Sequence, residues 1–437
     1  MIKIGNRGQR LLKDTIIYGF GLVSVKIFNF LFIPVFTRYV NPEEYGYFEL
    51  INTTISLLIP IISFQISEGI YRYLLDCKDE QLEKKDGYIS NSLNIVLKNI
   101  LIFILLVVIL NLLGIDDKIK YFNLISLWLI FAILNGLFMQ TIRGLKKTFL
   151  YSISNIIMAI VNITLNIAFV IYFNMSIYGM VLANVISFGV TDLFIIIKLN
   201  LYKYINKLQN KRIRNDLLKY SAPLILSTMA WWIVNVSDRY VIAGYLSKSE
   251  LGIYAVAAKF ALMLNFMYSI FYMGWQTVAI ENYNKKDMIE FYSKIFNLLA
   301  LCFFSIVIIS IIVIKPFMKF YVAEDYFEAY KLIPFLLLAA VFNSFSSFYG
   351  IGYLSTQNTK GASITSLIAA IINLLINLLL IKKYGINTAV ISTFVAFFAM
   401  WVIRIITMKK YFYVKIRFYN ILLFIISLYS IIYMFKG

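Results

Sequence analysis

Thirteen stretches of mostly apolar residues, each long enough to cross a bilayer as a helix, tile the chain almost from end to end. They fall near 15–37, 47–66, 92–114, 121–142, 149–172, 177–199, 220–243, 250–278, 293–316, 331–354, 362–381, 386–407 and 418–435. A hydrocarbon core of about 30 Å is crossed by about 20 helical residues. A transmembrane barrel would instead show alternating strands of about ten residues. Charged side chains make up 14% of the sequence, against about 25% in soluble domains. The expectation is an all-α, polytopic membrane protein.

Composition removes several chemistries. The chain has no histidine, so histidine triads and histidine metal sites are excluded. Its two cysteines, Cys77 and Cys302, fall in a polar connection and in the ninth span, which argues against a disulfide framework. No phosphate-cradling GxxxxGK[ST] loop occurs. The longest polar connections, around 67–91 and 200–219, are too short for a catalytic domain, so no enzyme is expected. Residues 1–14 resemble a signal-peptide n-region, with Lys3, Arg7, Arg10 and Lys13. The apolar run that follows is too long for an h-region and lacks a small-x-small cleavage site, so the first span is expected to stay.

The formal net charge is +19, and its placement explains it. With a cytoplasmic N-terminus and alternating spans, cytoplasmic segments hold 27 of the 41 Lys and Arg residues, Arg404 among them, and outer segments hold 11. Acidic residues divide 11 inside and 9 outside. The asymmetry follows the positive-inside rule, and basic residues on that face suit anionic phospholipid. Nucleic acid is not an expected partner.

The chain also repeats itself. Thr37-Arg38-Tyr39-Val40 precedes Glu44-Tyr45-Gly46-Tyr47-Phe48, and Asp238-Arg239-Tyr240-Val241 precedes Glu250-Leu251-Gly252-Ile253-Tyr254. Asn162 and Asn166 in the fifth span are echoed by Asn373 and Asn377 in the eleventh. An even separation of six spans makes the halves parallel repeats, the design of many secondary transporters. The expected division is a six-helix lobe over 1–199, a basic cytoplasmic linker over 200–219, a second six-helix lobe over 220–408, and a tail over 409–437. The segment 418–435 is either a thirteenth span or an interfacial hairpin. Pro34 and Pro60 are candidate bends.

The run from Phe32 through Thr37-Arg38-Tyr39-Val40-Asn41-Pro42-Glu43-Glu44-Tyr45-Gly46 resembles the opening signature of polysaccharide flippases. These are the Wzx-type members of the multidrug/oligosaccharidyl-lipid/polysaccharide exporter superfamily. The segment from Asp238-Arg239-Tyr240 to Gly252-Ile253-Tyr254, then Ala257-Ala258-Lys259, is similar to their second-half signature. The resemblance covers about 1–408. It implies twelve core transmembrane helices in two pseudo-symmetric, V-shaped lobes that move lipid-linked oligosaccharide across the cytoplasmic membrane, with 418–435 as an addition to that pattern. Arg38, Gly46, Asp238, Arg239 and Gly252 are then structural motif positions.

Charges inside spans supply the candidate site. Lys26 is midway between Thr15 and Thr37 in the first span. Lys259 lies about 14 Å below Glu250 on the eighth, at 1.5 Å per helical residue. A mid-depth lysine costs about 2.5–3.5 kcal/mol on insertion scales and normally faces water or a partner. The two are expected to line one cationic cleft for a pyrophosphate-linked sugar, with Asn235 as a further contact. Asp192, near the inner end of the sixth span, either couples transport or reaches water. Glu49 is expected to be interfacial, and Asp238 with Arg239 to form a local ion pair or cap. The many asparagines serve interhelical hydrogen bonds or a sugar path. Trp231, Trp232 and Trp275 serve as interface anchors or as sugar platforms.

The leading function is a flippase for an undecaprenyl-pyrophosphate-linked oligosaccharide, an O-antigen, capsule or related repeat unit. The site would be in the inner membrane of a bacterium, with other polysaccharide assembly proteins as possible partners. The alternative within transport is a multidrug or organic-cation antiporter of the same superfamily, which would want acidic groups in its cleft. A membrane polysaccharide polymerase or ligase is a third possibility, disfavoured by the short outer connections. No cofactor is expected; the proton, sodium and the membrane potential stay open as coupling sources.

Overall fold

The computed structural model describes residues 30, 32–77, 82–114, 119–204, 210–281, 288–356, 359–409 and 412–436. Fifteen α-helices occur among them: α1 (Ile33–Tyr39), α2 (Pro42–Ile62), α3 (Ile66–Asp76), α4 (Leu82–Leu112), α5 (Phe122–Gly144), α6 (Thr148–Asn166), α7 (Ser176–Leu199), α8 (Lys211–Val236), α9 (Asp238–Tyr245), α10 (Lys248–Glu281), α11 (Met288–Tyr321), α12 (Ala329–Ser355), α13 (Thr359–Tyr384), α14 (Asn387–Met408) and α15 (Phe418–Lys436). No strand is present among the described residues. Ten helices are long and apolar enough to cross a membrane, or eleven if the bent pair α8–α9 counts as one span. The protein is a multi-pass, all-helical membrane protein.

The helix bounds correct several expectations. The stretch 67–91 is not a polar connection: α3 and the first turns of α4 occupy most of it. In α3 the buried residues Ile66, Ile70 and Leu74 recur at four-residue spacing, so one face packs while the other stays polar. Within 200–219 the described residues form a 3-10 turn at Leu201–Tyr204 and the start of α8. Pro34 is the second residue of α1, where its missing N–H costs little; most of the span before it lies outside the described residues. Pro60 lies near the end of α2, and the chain turns just after it through Phe64 and Gln65 at φ 52° and 53°.

Two compact units divide the fold, one containing Ile51–Met229 and the other combining Ile33–Leu50 with Ala230–Gly437. In the first, α5 packs on α3 and α7, and α7 packs on α6. Asn162 reaches from α6 to Asn184 and Ser187 of α7, each at 3.2 Å, and Asn166 donates to Asn162 Oδ1 at 3.0 Å. The second unit repeats this joint: Asn373 of α13 reaches Ser392 and Thr393 of α14, and Asn377 donates to Asn373 Oδ1 at 3.3 Å. The repeated asparagines therefore tie one helix to the next, the use that interhelical amides commonly have.

In the second unit α12 is the hub, 89% buried over its apolar window and packed by α10, α11 and α14. Phe342 sits at its centre, 5.0 Å from Phe398, 5.2 Å from Trp401 and 5.2 Å from Phe424 between ring centroids. Lipid offers no hydrophobic drive between helices, so such close packing must hold them. Phe424 belongs to α15, which is a single helix and not a hairpin. Asn420 pins that helix to α11 by donating to Asn297 Oδ1 at 2.8 Å. Asn297 in turn donates to the Lys415 carbonyl at 2.8 Å.

Candidate functional site

Helix α8 breaks at Ser237 and α9 leaves at 54°. The break places Asp238 in the first turn of α9, where the positive end of the helix dipole favours a carboxylate. It also sends Asp238 and Arg239 to different partners, and both are buried. They are neither a local ion pair nor a surface cap, contrary to expectation.

Arg239 Nε donates to Glu49 Oε1 at 3.1 Å. Lys259 Nζ lies 3.7 Å from Glu49 Oε2. Glu49 is therefore not interfacial; its side chain is 4% exposed and holds two cations, from α9 and α10. Their three formal charges sum to one positive charge. Lys259 keeps 28% of its side chain uncovered, so that charge is offered at the lysine. No local spacing points from Lys259 to this partner, which is about two hundred residues away in the sequence.

Asp238 anchors a second polar centre. Its Oδ2 accepts from Tyr254 and Thr393 and its Oδ1 from Asn377, all at 2.9 Å. Asn377 Oδ1 is buried without a hydrogen-bond partner among the described residues. One carboxylate amid amides and hydroxyls suits a proton or a small monovalent cation, since hard cations take oxygen ligands. A divalent-type cluster of three or more acidic, histidine or cysteine side chains is absent among the described residues.

Two glycines lie where the two copies of the motif meet. A Cβ at Gly46 would stand 1.8 Å from the Lys248 carbonyl oxygen, and one at Gly252 would stand 2.0 Å from the Pro42 carbonyl oxygen. The starts of α2 and α10 thus approach backbone to backbone, as small residues allow. This explains why Ile33–Leu50 groups with the second unit. Tyr326 adds a phenol donating to the Val40 carbonyl at 2.9 Å. Burial pushes its pKa up, so it remains a donor at any physiological pH.

The other expected positions separate. Lys26 lies outside the described residues. Asn235 turns its amide back onto the Trp231 carbonyl of its own helix at 2.9 Å. Arg38 is exposed although its repeat partner Arg239 is buried. Asp192 is in the first unit, buried, with Oδ1 accepting from Asn135 at 2.8 Å; it does not reach water. Trp275 is neither anchor nor platform, for it stacks on Phe348 at 4.6 Å inside the second unit. Arg404 was missed: counted with the cytoplasmic charges, it is buried in α14. Its place inside an apolar run was the signal.

Known proteins resemble the chain as follows. The family described as polysaccharide biosynthesis protein is matched over residues 11–275, and the MatE family over 223–379. The Lsg locus putative protein 1 of Haemophilus influenzae is 24% identical over 294 residues, 66% of this chain and 67% of that protein. An inward-facing multidrug resistance MATE family transporter of the MOP superfamily superposes with a TM-score of 0.70 at 13% identity, covering 88% of this chain and 95% of that one. The lipid II flippase MurJ, in its inward closed conformation, gives 0.66 at 18% identity, covering 96% and 92%.

Proposed function

The chain belongs to the polysaccharide biosynthesis protein family, and from that premise we propose that it is a flippase for lipid-linked glycan. It carries undecaprenyl-pyrophosphate-linked oligosaccharide, an O-antigen, capsule or related repeat unit, from the cytoplasmic to the outer leaflet of a bacterial inner membrane by alternating access. The observation that carries this reading is the Glu49, Arg239 and Lys259 group, where two cations share one carboxylate and Lys259 stays partly uncovered. A lysine ammonium is a compact point charge for a phosphate oxygen. Its Glu49 partner lies 3.7 Å away and supplies a counter-charge inside the bundle. Lys26 is the proposed second cation. Asp238, with its three neutral donors, and Asp192, with Asn135, are the proposed coupling groups for a proton or a sodium ion.

The MatE match over 223–379 supports a second reading, a drug or organic-cation antiporter in which Asp238 would meet a cationic substrate. Deleting the gene separates the two. Accumulation of intact undecaprenyl-linked units on the cytoplasmic leaflet supports the flippase. Normal surface polysaccharide with altered drug tolerance overturns it in favour of the antiporter.

A further inference from the structure

A cleft of about 410 Å³ opens in the second unit among α10, α12, α13 and α14, lined by Tyr268, Tyr272, Ser347, Gly350 and Arg404. Arg404 is 7% exposed. Its Nε donates to Thr365 Oγ1 at 3.0 Å, one terminal nitrogen to the Ser346 carbonyl at 2.7 Å, and the other to Ser366 Oγ at 3.0 Å. All three acceptors are neutral. A guanidinium has five N–H donors, so two remain for the cleft among the described residues. No carboxylate pairs with it there; its titratable neighbours are Tyr268, Tyr272 and Tyr353.

A buried cation without a counter-charge is costly to keep, and the fold nonetheless makes room for this one. Gly350 lets the guanidinium lie against α12, since a Cβ there would stand 3.1 Å from Nη1. Across the cleft, Tyr268 is 6% exposed and its hydroxyl has no hydrogen-bond partner among the described residues. Two unused guanidinium donors and an idle phenol thus line one cavity, whose size falls in the range of ligand sites. Planar guanidinium donors match the oxygens of a phosphate group.

We propose that this cleft binds a phosphate-bearing anion, with Arg404 supplying charge and a two-donor fork and Tyr268 a further hydroxyl donor. The phosphate comes from a lipid headgroup or from a free phosphate or pyrophosphate. The site lies four residues from the end of α14, the end that the charge asymmetry assigns to the cytoplasm. It rests on the geometry of the second unit alone and is independent of the flippase reading.

The test uses the full chain in nanodiscs of zwitterionic phosphatidylcholine, titrated with inorganic pyrophosphate, and a parallel sample purified from phosphatidylglycerol and weighed by native mass spectrometry. Binding of pyrophosphate identifies the free anion as a source, and retention of phosphatidylglycerol identifies the headgroup; either supports the proposal. Tyr268→Phe removes a hydroxyl that has no hydrogen-bond partner among the described residues, so the fold should stand while affinity falls at least fivefold. Ser347→Phe fills the cleft and should abolish binding. Ser310→Ala, whose hydroxyl donates to the Val307 carbonyl within α11, should leave it unchanged. If the wild-type protein takes up neither probe, or if Tyr268→Phe and Ser347→Phe bind as the wild type does, the proposal is overturned.

Discussion

Removing the carboxylate of Glu49 would leave Arg239 and Lys259 without the group that holds both. Breaking a buried ion pair from one side costs about 3–5 kcal/mol, so Glu49→Gln should lower the thermal midpoint and the membrane abundance. Adding Lys259→Met should restore part of both, which a double-mutant cycle measures. Lys259→Ala alone leaves Glu49 bonded to Arg239, so abundance should hold while export of surface polysaccharide falls at least tenfold, about 1.4 kcal/mol or more. Lys259→Arg should keep part of the activity, and Lys259→Glu should be worse than alanine. Normal export in Lys259→Ala would remove the lysine from the site. Asp192→Asn preserves an acceptor for Asn135, so the protein should stay folded while transport loses its coupling; an unchanged rate would make Asp192 structural. Lys259 and Asp192 were legible as charges inside apolar runs, whereas Asp238 and Arg239 read as a local pair or cap at a span end. Their partners were not legible, because Glu49 and Lys259 meet only through folding and no local spacing encodes that contact.

At the scale of elements, the close approach of α2 and α10 is the most exacting contact. Alanine at Gly46 or Gly252 would place a methyl well inside van der Waals contact distance of a carbonyl oxygen. Overpacking of this kind costs about 1–3 kcal/mol, and more where backbone must move. Gly46→Ala and Gly252→Ala should therefore lower the thermal midpoint, whereas Gly136→Ala, with no atom within 4 Å of the new Cβ, should be neutral or slightly stabilising through helix propensity. Equal melting of all three would show that the two helices are not held by that contact. The apolar runs located the membrane helices well, since length and hydropathy are summed over a whole span. The α8–α9 break was not anticipated, because neither proline nor glycine marks it. Only the polar triple Ser237-Asp238-Arg239 interrupts the run there. The helical nature of 67–91 was hidden for a related reason: α3 is amphipathic and too short to cross a bilayer, so a search for long apolar runs passes over it.

For the whole molecule, the topology we propose from the charge asymmetry puts the turn before α10 on the outer face and the end of α14 in the cytoplasm. With Cys77 and Cys302 replaced by serine, cysteines introduced at Ser247 and Lys409 should react with an impermeant thiol reagent from opposite sides; labelling from one side would contradict the topology. Movement of a lipid-linked glycan between leaflets is tested most directly by reconstitution. Vesicles would carry undecaprenyl-pyrophosphate-linked oligosaccharide in both leaflets, with a membrane-impermeant glycan-modifying reagent outside. Wild-type protein should expose the inner-leaflet pool to the reagent, under an imposed proton or sodium gradient if coupling requires one, while empty vesicles and Lys259→Ala vesicles keep that pool protected. An inner pool that stays protected with the wild-type protein under both gradients would contradict the account.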